Sequence, residues 1–387
     1  MPMRPADPPR GRERAVRRRR PAARTPTTSA GPAWRRLASQ LQRLAKADTF
    51  RLAFAAFVFL AALWALRQEL RGSSLQQIGD VVSSVPLWMV AAAALGTLVS
   101  YGGLAASEGL ALAWIGRPLA FQRIGLATFV SYAVSNGVGF GLATGGAARL
   151  RLYGMWGLSA REVAAVTLLS GAAVTLSGVV LAGLLLLGMP GLPVGALLLG
   201  LAFLVPAALW LAPLPRKVWI LPDIDLRTPP LGLRVGALLG GFVDWIASGA
   251  ALFILIPGAS SADFLPFLGV FILSSILSAA TGVPGGVGVF DALVLMLSRE
   301  VSQVHETAAA LLLYRLVYVL GPLILTAVGV AGYQLRRLMG GGPGKGWRPL
   351  ADLIAPRVMA ALVFYLGAVL LLGAGNFGLT WISAPQP

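Results

Sequence analysis

Cysteine is absent from this chain and histidine occurs once, at position 305. Structural disulfides and thiolate metal sites are therefore excluded. Nothing around His305 resembles a metal-ligand set, so no metal or other cofactor is expected. Charge is scarce as well: Asp, Glu, Lys and Arg supply 12% of 387 residues against 57% hydrophobic, and mean hydropathy is +0.76. A chain this apolar is not an ordinary soluble enzyme. Catalytic signatures are missing too, with no Gly-x-Ser-x-Gly elbow, no Gly-x-x-x-x-Gly-Lys phosphate loop and no histidine near a candidate nucleophile.

What the chain does have is bilayer-length apolar sequence. Crossing a membrane takes ~20 apolar residues, and runs of about that length recur at 50–66, 86–107, 163–188, 194–212, 231–257, 307–332 and 357–377. Two further apolar stretches, 121–148 and 264–298, are broken by glycine. The first carries SNGVGFG at 135–141, with Asn136, Gly137 and Gly139, and then Thr144, Gly145 and Gly146. The second carries TGVPGGVGVFD at 281–291, with Pro284, Gly285, Gly286 and Gly288. A continuous helix tolerates such a cluster of glycines and a proline poorly. The fold expected is an all-α polytopic membrane protein with about seven full spans and two re-entrant, broken-helix hairpins.

The net charge of +17 is concentrated at one end. Residues 1–51 hold fourteen Lys/Arg, including Arg17 to Arg20, against Asp7, Glu13 and Asp48, a net of +11. Because this arm leads into a span, attraction to anionic lipid and orientation of that span explain it better than nucleic-acid binding. Residues 1–49 are read as a disordered basic cytoplasmic tail, 50–340 as the transmembrane domain, and 341–387 as a Gly-rich linker with one further span. Short loops carrying Arg117, Arg123, Arg149, Arg151, Arg161, Arg216, Lys217, Arg227, Arg336 and Arg337 fall on the cytoplasmic side, whereas 189–193 and 257–263 have no basic residue. Parity then sends the 124–148 hairpin in from the cytoplasm and the 264–298 hairpin in from outside, the pattern of an inverted repeat around a midplane site. The alternative is that both glycine clusters are small-residue packing surfaces between ordinary helices.

Ionisable residues inside apolar spans are costly and mark function by default. The candidates are Glu108, Arg149, Arg151, Asp244, Asp291 and Arg315. A buried ion pair of Arg315 with Asp244 or Asp291 would serve structure alone, and Arg151 and Arg161 would serve as positive-inside anchors. In the functional reading, the acids take a cationic lipid headgroup and the arginines take its phosphate. The half-helix starting near Gly286 would add N–H groups suited to an anion.

The run 129–159 (FVSYAVSNGVGFGLATGGAARLRLYGMWGLS) resembles the membrane domain of the multiple peptide resistance factor family, the bacterial lysylphosphatidylglycerol synthetase-flippases. PGGVGVFD at 284–291 and ALLLYRLVY at 310–318 are similar to the same domain, and the likeness extends over roughly 50–340. The resemblance implies a flippase of the bacterial inner membrane that carries lysyl- or alanyl-phosphatidylglycerol outward, lowering negative surface charge and conferring resistance to cationic antimicrobial peptides. It also implies that Glu108, Arg149, Asp244 and Asp291 are the polar functional positions, with Arg315 in a further similar motif. Full-length members continue into a cytoplasmic domain that uses aminoacyl-tRNA. No such domain is evident here, so lysyl transfer by this chain alone is not expected. The partners expected are membrane phospholipids, with a separate synthase or a homo-oligomer as further options. The competing readings are the membrane half of a phosphatidylglycerol lysyltransferase and a structural scaffold whose glycines serve packing only.

Overall fold

A computed structural model describes residues 75–138, 141–189, 191–212, 217–218, 226–281, 286 and 288–338. The 1–49 tail, the expected spans at 50–66 and 357–377, the linker from 341, and Gly139, Pro284 and Gly285 lie outside the described residues.

The described residues are helical, apart from a two-residue antiparallel pair, β1 (Lys217–Val218) with β2 (Leu226–Arg227), and the turns between elements. Helix α1 (Leu75–Ser84) is amphipathic: Ile78 is buried, with Val81 and Val82 packed against the core, while Gln76, Gln77 and Asp80 are exposed. Pro86 follows at once; it supplies no N–H, and it sits where α2 (Leu87–Trp114) needs none. At 28 residues α2 is about 42 Å long and runs from one face of the bundle, the Leu87 face, to the other, the Trp114 face. Gly116, at φ +74°, ends it: Arg117 N–H donates to Leu112 C=O and Gly116 N–H to Ala113 C=O, a Schellman closure that only a left-handed residue permits.

Helices α3 (Phe121–Val138) and α4 (Gly141–Met155) fold back on each other. Gly157, at φ +86°, closes α4 with the same pair of bonds, Leu158 to Tyr153 and Gly157 to Gly154. A capping box of Ser159 and Glu162 starts α5 (Ala160–Gly188), and Arg117 pairs with Glu162 at 2.7 Å, tying the α2–α3 loop to that start. Helix α6 (Val194–Leu211) is apolar on all sides and mostly exposed, as a lipid-facing helix must be. Helix α7 (Leu231–Phe253) returns antiparallel to α2 and packs on it more extensively than any other pair of helices. The contact is close because it is glycine on glycine: a Cβ on Gly240 would lie 2.7 Å from the Gly103 carbonyl oxygen.

A second broken pair follows, α8 (Phe264–Thr281) and the nine-residue α9 (Val289–Leu297). Then α10 (Val304–Tyr314) passes through one π-helical turn, Arg315–Leu320, into α11 (Gly321–Leu338). All of these elements belong to the unit Leu52–Pro387. Among the described residues, six helical segments are long and apolar enough to cross a membrane: Leu87–Trp114, Ala160–Gly188, Val194–Leu211, Leu231–Phe253, Ser261–Thr281 and Val304–Gly329. The protein is a polytopic helical membrane protein. Two apolar cores organise it. One, around Phe267, Phe271, Leu252 and Leu255, lies toward the Leu87 face, and the other, around Leu112, Leu152 and Val166, lies toward the Trp114 face.

Candidate functional site

The first glycine-broken region is a hairpin. Thr128 and Tyr153 meet at Glu108, the Tyr132 ring lies against Arg149, and a Cβ on Gly145 would lie 3.1 Å from the Ser131 carbonyl. These contacts give α3 and α4 one antiparallel register. Both ends are at the Trp114 face. Ten residues on from Thr128, about 15 Å at 1.5 Å per residue, α3 ends level with the middle of α2. The hairpin therefore reaches about half the length of α2. Gly137 packs against Leu323 of α11, while Gly146 faces open space.

Glu108 sits at the centre of a saturated cage. Its carboxylate accepts Arg149 Nε at 2.8 Å, Arg149 Nη2 at 3.4 Å, Tyr153 Oη at 2.9 Å and Thr128 Oγ1 at 2.9 Å, and the residue is fully buried. The Tyr132 ring covers the Arg149 guanidinium at 4.7 Å, a cation–π contact that strengthens where water is excluded. The three cage residues on α3 and α4 approach from two arms of one hairpin, and the glycines let those arms close. Arg151, two residues beyond Arg149, points the other way and is exposed.

Asp244, on α7, is buried and accepts a 2.5 Å hydrogen bond from Ser100 of α2; the Ser100 hydroxyl also lies 3.0 Å from Tyr318 Oη. No cation pairs with Asp244 among the described residues. Tyr318 stacks on Tyr314 at 4.9 Å and tilts against Tyr101 at 5.9 Å. A line of polar groups thus runs along α2 from the cage to the π turn.

The second broken region enters from the opposite face. Ser278 of α8 lies at Gly286, and farther from the turn Phe271 meets Phe290 of α9 edge-on at 5.7 Å, so the chain doubles back; Phe264 against Phe253 puts the start of α8 at the Leu87 face. Gly286 and Gly288, at φ +63° and +82°, form the turn, and these angles are the ones a Cβ disfavours. Asp291 accepts the Gly288 N–H at 2.8 Å and is bridged by Arg315, Nε to Oδ1 at 3.0 Å and Nη2 to Oδ2 at 2.5 Å. Asp291 itself therefore caps the start of α9, where an anion subsite is expected from the sequence. Of the two partners open to Arg315 on sequence grounds, Asp291 is the one it meets.

The structure brings Glu108 to Arg149 and Asp291 to Arg315 and sets Asp244 between them; it does not bring Arg151 to any of these. Sequence reasoning did not single out Ser100, Thr128, Tyr132, Tyr153, Tyr314 or Tyr318 as site residues. Tyrosine and threonine inside spans are the signal that was available, since buried hydroxyls need partners.

No family model matches the chain. It is 28% identical over 308 residues to the uncharacterized protein slr0712 of Synechocystis, covering 76% of this chain and 94% of that protein. It is 26% identical over 302 residues to the inner membrane protein YbhN of Escherichia coli, covering 74% and 91%. A third similarity is local: 31% over 141 residues of the phosphatidylglycerol lysyltransferase of Bacillus subtilis, covering 35% of this chain and 16% of that enzyme. The chain is a polytopic membrane protein with a near-full-length bacterial inner-membrane relative, and it shares one segment with a lipid-modifying enzyme.

Proposed function

We propose that this protein is a phospholipid translocase of the bacterial inner membrane, moving aminoacylated phosphatidylglycerol or a related lipid between leaflets. The observation that carries this reading is a set of ionisable groups inside an apolar bundle: Asp244, and the pairs Glu108–Arg149 and Asp291–Arg315, each pair held by a broken helix pair that opens toward its own face of the bundle. An aminoacyl lipid headgroup carries an ammonium and a phosphate. It can replace an internal carboxylate–guanidinium pair group for group, with ammonium on Glu108 or Asp291 and phosphate on Arg149 or Arg315. Such an exchange leaves no buried charge unpaired, which lone removal of a partner would do at several kcal/mol. Asp244 offers the headgroup amine a carboxylate that no other cation holds among the described residues.

The Trp114 face is the cytoplasmic one in this reading. Arg117, Arg123 and Arg161 gather there, whereas Asp80, Asp263, Glu300 and Glu306 lie toward the Leu87 face. Outward transfer of a cationic lipid would lower negative surface charge and protect against cationic antimicrobial peptides. The test is lipid mass spectrometry on outer-leaflet lipid, captured with a membrane-impermeant amine reagent, in cells making the lipid. Asp244→Asn keeps shape and the Ser100 contact, and it is expected to cut exposure at least about tenfold, the scale of one charge-assisted contact. Undiminished exposure with Glu108→Gln, Arg149→Gln and Asp244→Asn, all well expressed, sinks the proposal.

The segment shared with the lysyltransferase supports a second reading, the membrane half of an aminoacyl-tRNA-dependent synthase whose catalytic part is a separate chain. New lysyl-lipid in cells that express this chain beside such a partner, and in neither alone, would favour it.

A further inference from the structure

Five charged residues are buried among the described residues: Glu108, Arg149, Arg234, Asp244 and Asp291. Four have their charge answered. Glu108 and Arg149 answer each other, Arg315 bridges Asp291, and Arg234 donates to the carbonyls of Trp210 and Ala212 at the end of α6. The Asp244 carboxylate has the Ser100 hydroxyl and no cation among the described residues. The apolar stretches 52–66 and 358–387 contain no Lys, Arg or His that could supply one. Of the helices packed on α7, α5, α6 and α8 hold no ionisable side chain over 163–188, 194–211 and 264–281. Helix α2 brings Tyr101 and Glu108, and α10 with its π turn brings Tyr314, Arg315 and Tyr318, with His305 and Glu306 at its start. Glu108 and Arg315 are already in ion pairs.

An ionised carboxylate without a counter-charge is costly inside apolar protein, and the cost goes when it binds a cation. A metal ion is a poor fit, because it takes about six oxygen ligands. Thr97 spends its hydroxyl on the Ala93 carbonyl and Ser248 on that of Asp244 itself. The α2 backbone closes one side, where a Cβ on Gly103 would lie 3.0 Å from the Asp244 nitrogen. A proton needs no such room. Ser100 Oγ is 2.5 Å from Asp244 Oδ1 and 3.0 Å from Tyr318 Oη, and in the second contact either oxygen can donate. Ser100 is fully buried and Tyr318 half-buried, so the hydroxyls form a relay from the edge of the site to its centre. A proton arriving at Tyr318 Oη sends that hydroxyl's own proton to Ser100 Oγ, whose proton passes to Asp244 Oδ1. Each hydroxyl ends with one proton, and the carboxylate ends neutral.

We infer that Asp244 binds a proton and a lipid ammonium in alternation, so that uptake of one releases the other. The inference rests on the translocase reading and supplies its driving force. A proton taken up from the Leu87 side frees the headgroup amine there, and a proton gradient then draws the cationic lipid outward. With either cation bound the carboxylate's charge is answered; with neither it is not, and that cost ties the two together.

The experiment is infrared difference spectroscopy on the full chain in phosphatidylcholine nanodiscs, titrated from alkaline to acid pH. The C=O stretch of a protonated carboxylic acid is expected to appear, to be lost in Asp244→Asn, and to move in frequency in Ser100→Ala, which keeps the carboxyl. Adding lysyl-phosphatidylglycerol at fixed pH should remove the band and release a proton to a dye in weak buffer. Phosphatidylglycerol, which has no amine, should do neither. No band at acid pH, or a band that neither variant alters, overturns the proton site. A band that survives saturating lysyl-phosphatidylglycerol overturns the exchange. Both readouts are taken at binding equilibrium, so a failed translocation assay leaves them standing, and their failure leaves translocation to be driven by another means.

Discussion

The two broken hairpins share a plan and differ in how tightly they are held. The first has arms of 18 and 15 residues, closed by Gly157 and stitched to α2 through a carboxylate that accepts four hydrogen bonds. Its ion pair is sealed, with side-chain exposures of 6% and 0%. The second has arms of 18 and nine residues and turns on two positive-φ glycines, and its Arg315–Asp291 pair is 13% and 10% exposed. Its arginine begins a π-helical turn, a local departure from α geometry that recurs at functional sites. A saturated cage holds one arrangement firmly, whereas a short half-helix capped by a single shared carboxylate has fewer bonds to break before it moves. On this contrast the first hairpin is expected to act as the wall and the second as the part that yields.

Substitutions sharpen or break this contrast. Glu108→Ala strands Arg149 in the bundle and should cost about 3–5 kcal/mol, enough to abolish a cooperative unfolding transition in detergent. Asp291→Ala removes a more exposed pair, and a loss of about 2 kcal/mol is expected after allowing for partial solvation. Equal losses at the two positions would erase the distinction between wall and moving part. Gly288→Ala forces a Cβ into φ +82°, at a cost of about 1–3 kcal/mol, and thermal unfolding should register it. Gly146→Ala has the opposite sign: the site has nothing within 4 Å, so helix propensity should add about 0.5–1 kcal/mol without a clash. Hydrogen exchange gives the direct comparison. Amides of α9 should exchange faster than those of α4, and slower exchange in α9 would reverse the assignment.

Much of the architecture can be read from local sequence. Hydropathy marks the spans from 87 to 114, 160 to 188, 194 to 211 and 231 to 253 because a helix in lipid must satisfy its backbone internally and be apolar along its length. Both breaks fall in the glycine runs singled out from the sequence, although glycine alone does not decide it, since α7 stays continuous with five glycines of its own. The charges at 108, 149, 244, 291 and 315 stand out because each is costly where it lies.

Partners are a different matter. Arg149 meets Glu108 from 41 residues away, Arg315 meets Asp291 and not Asp244, and Asp244 rests on a serine. Arg234 at the start of its helix looks like any interfacial arginine until the α6 carbonyls that hold it are seen. These pairings depend on the axial register of one helix against another. That register is set by close contacts such as Gly103 on Gly240, contacts between residues far apart in the chain. Composition and order of residues determined that the chain crosses the bilayer and where it falters; the packing of helix against helix decided which charges are quenched and which remain for a ligand.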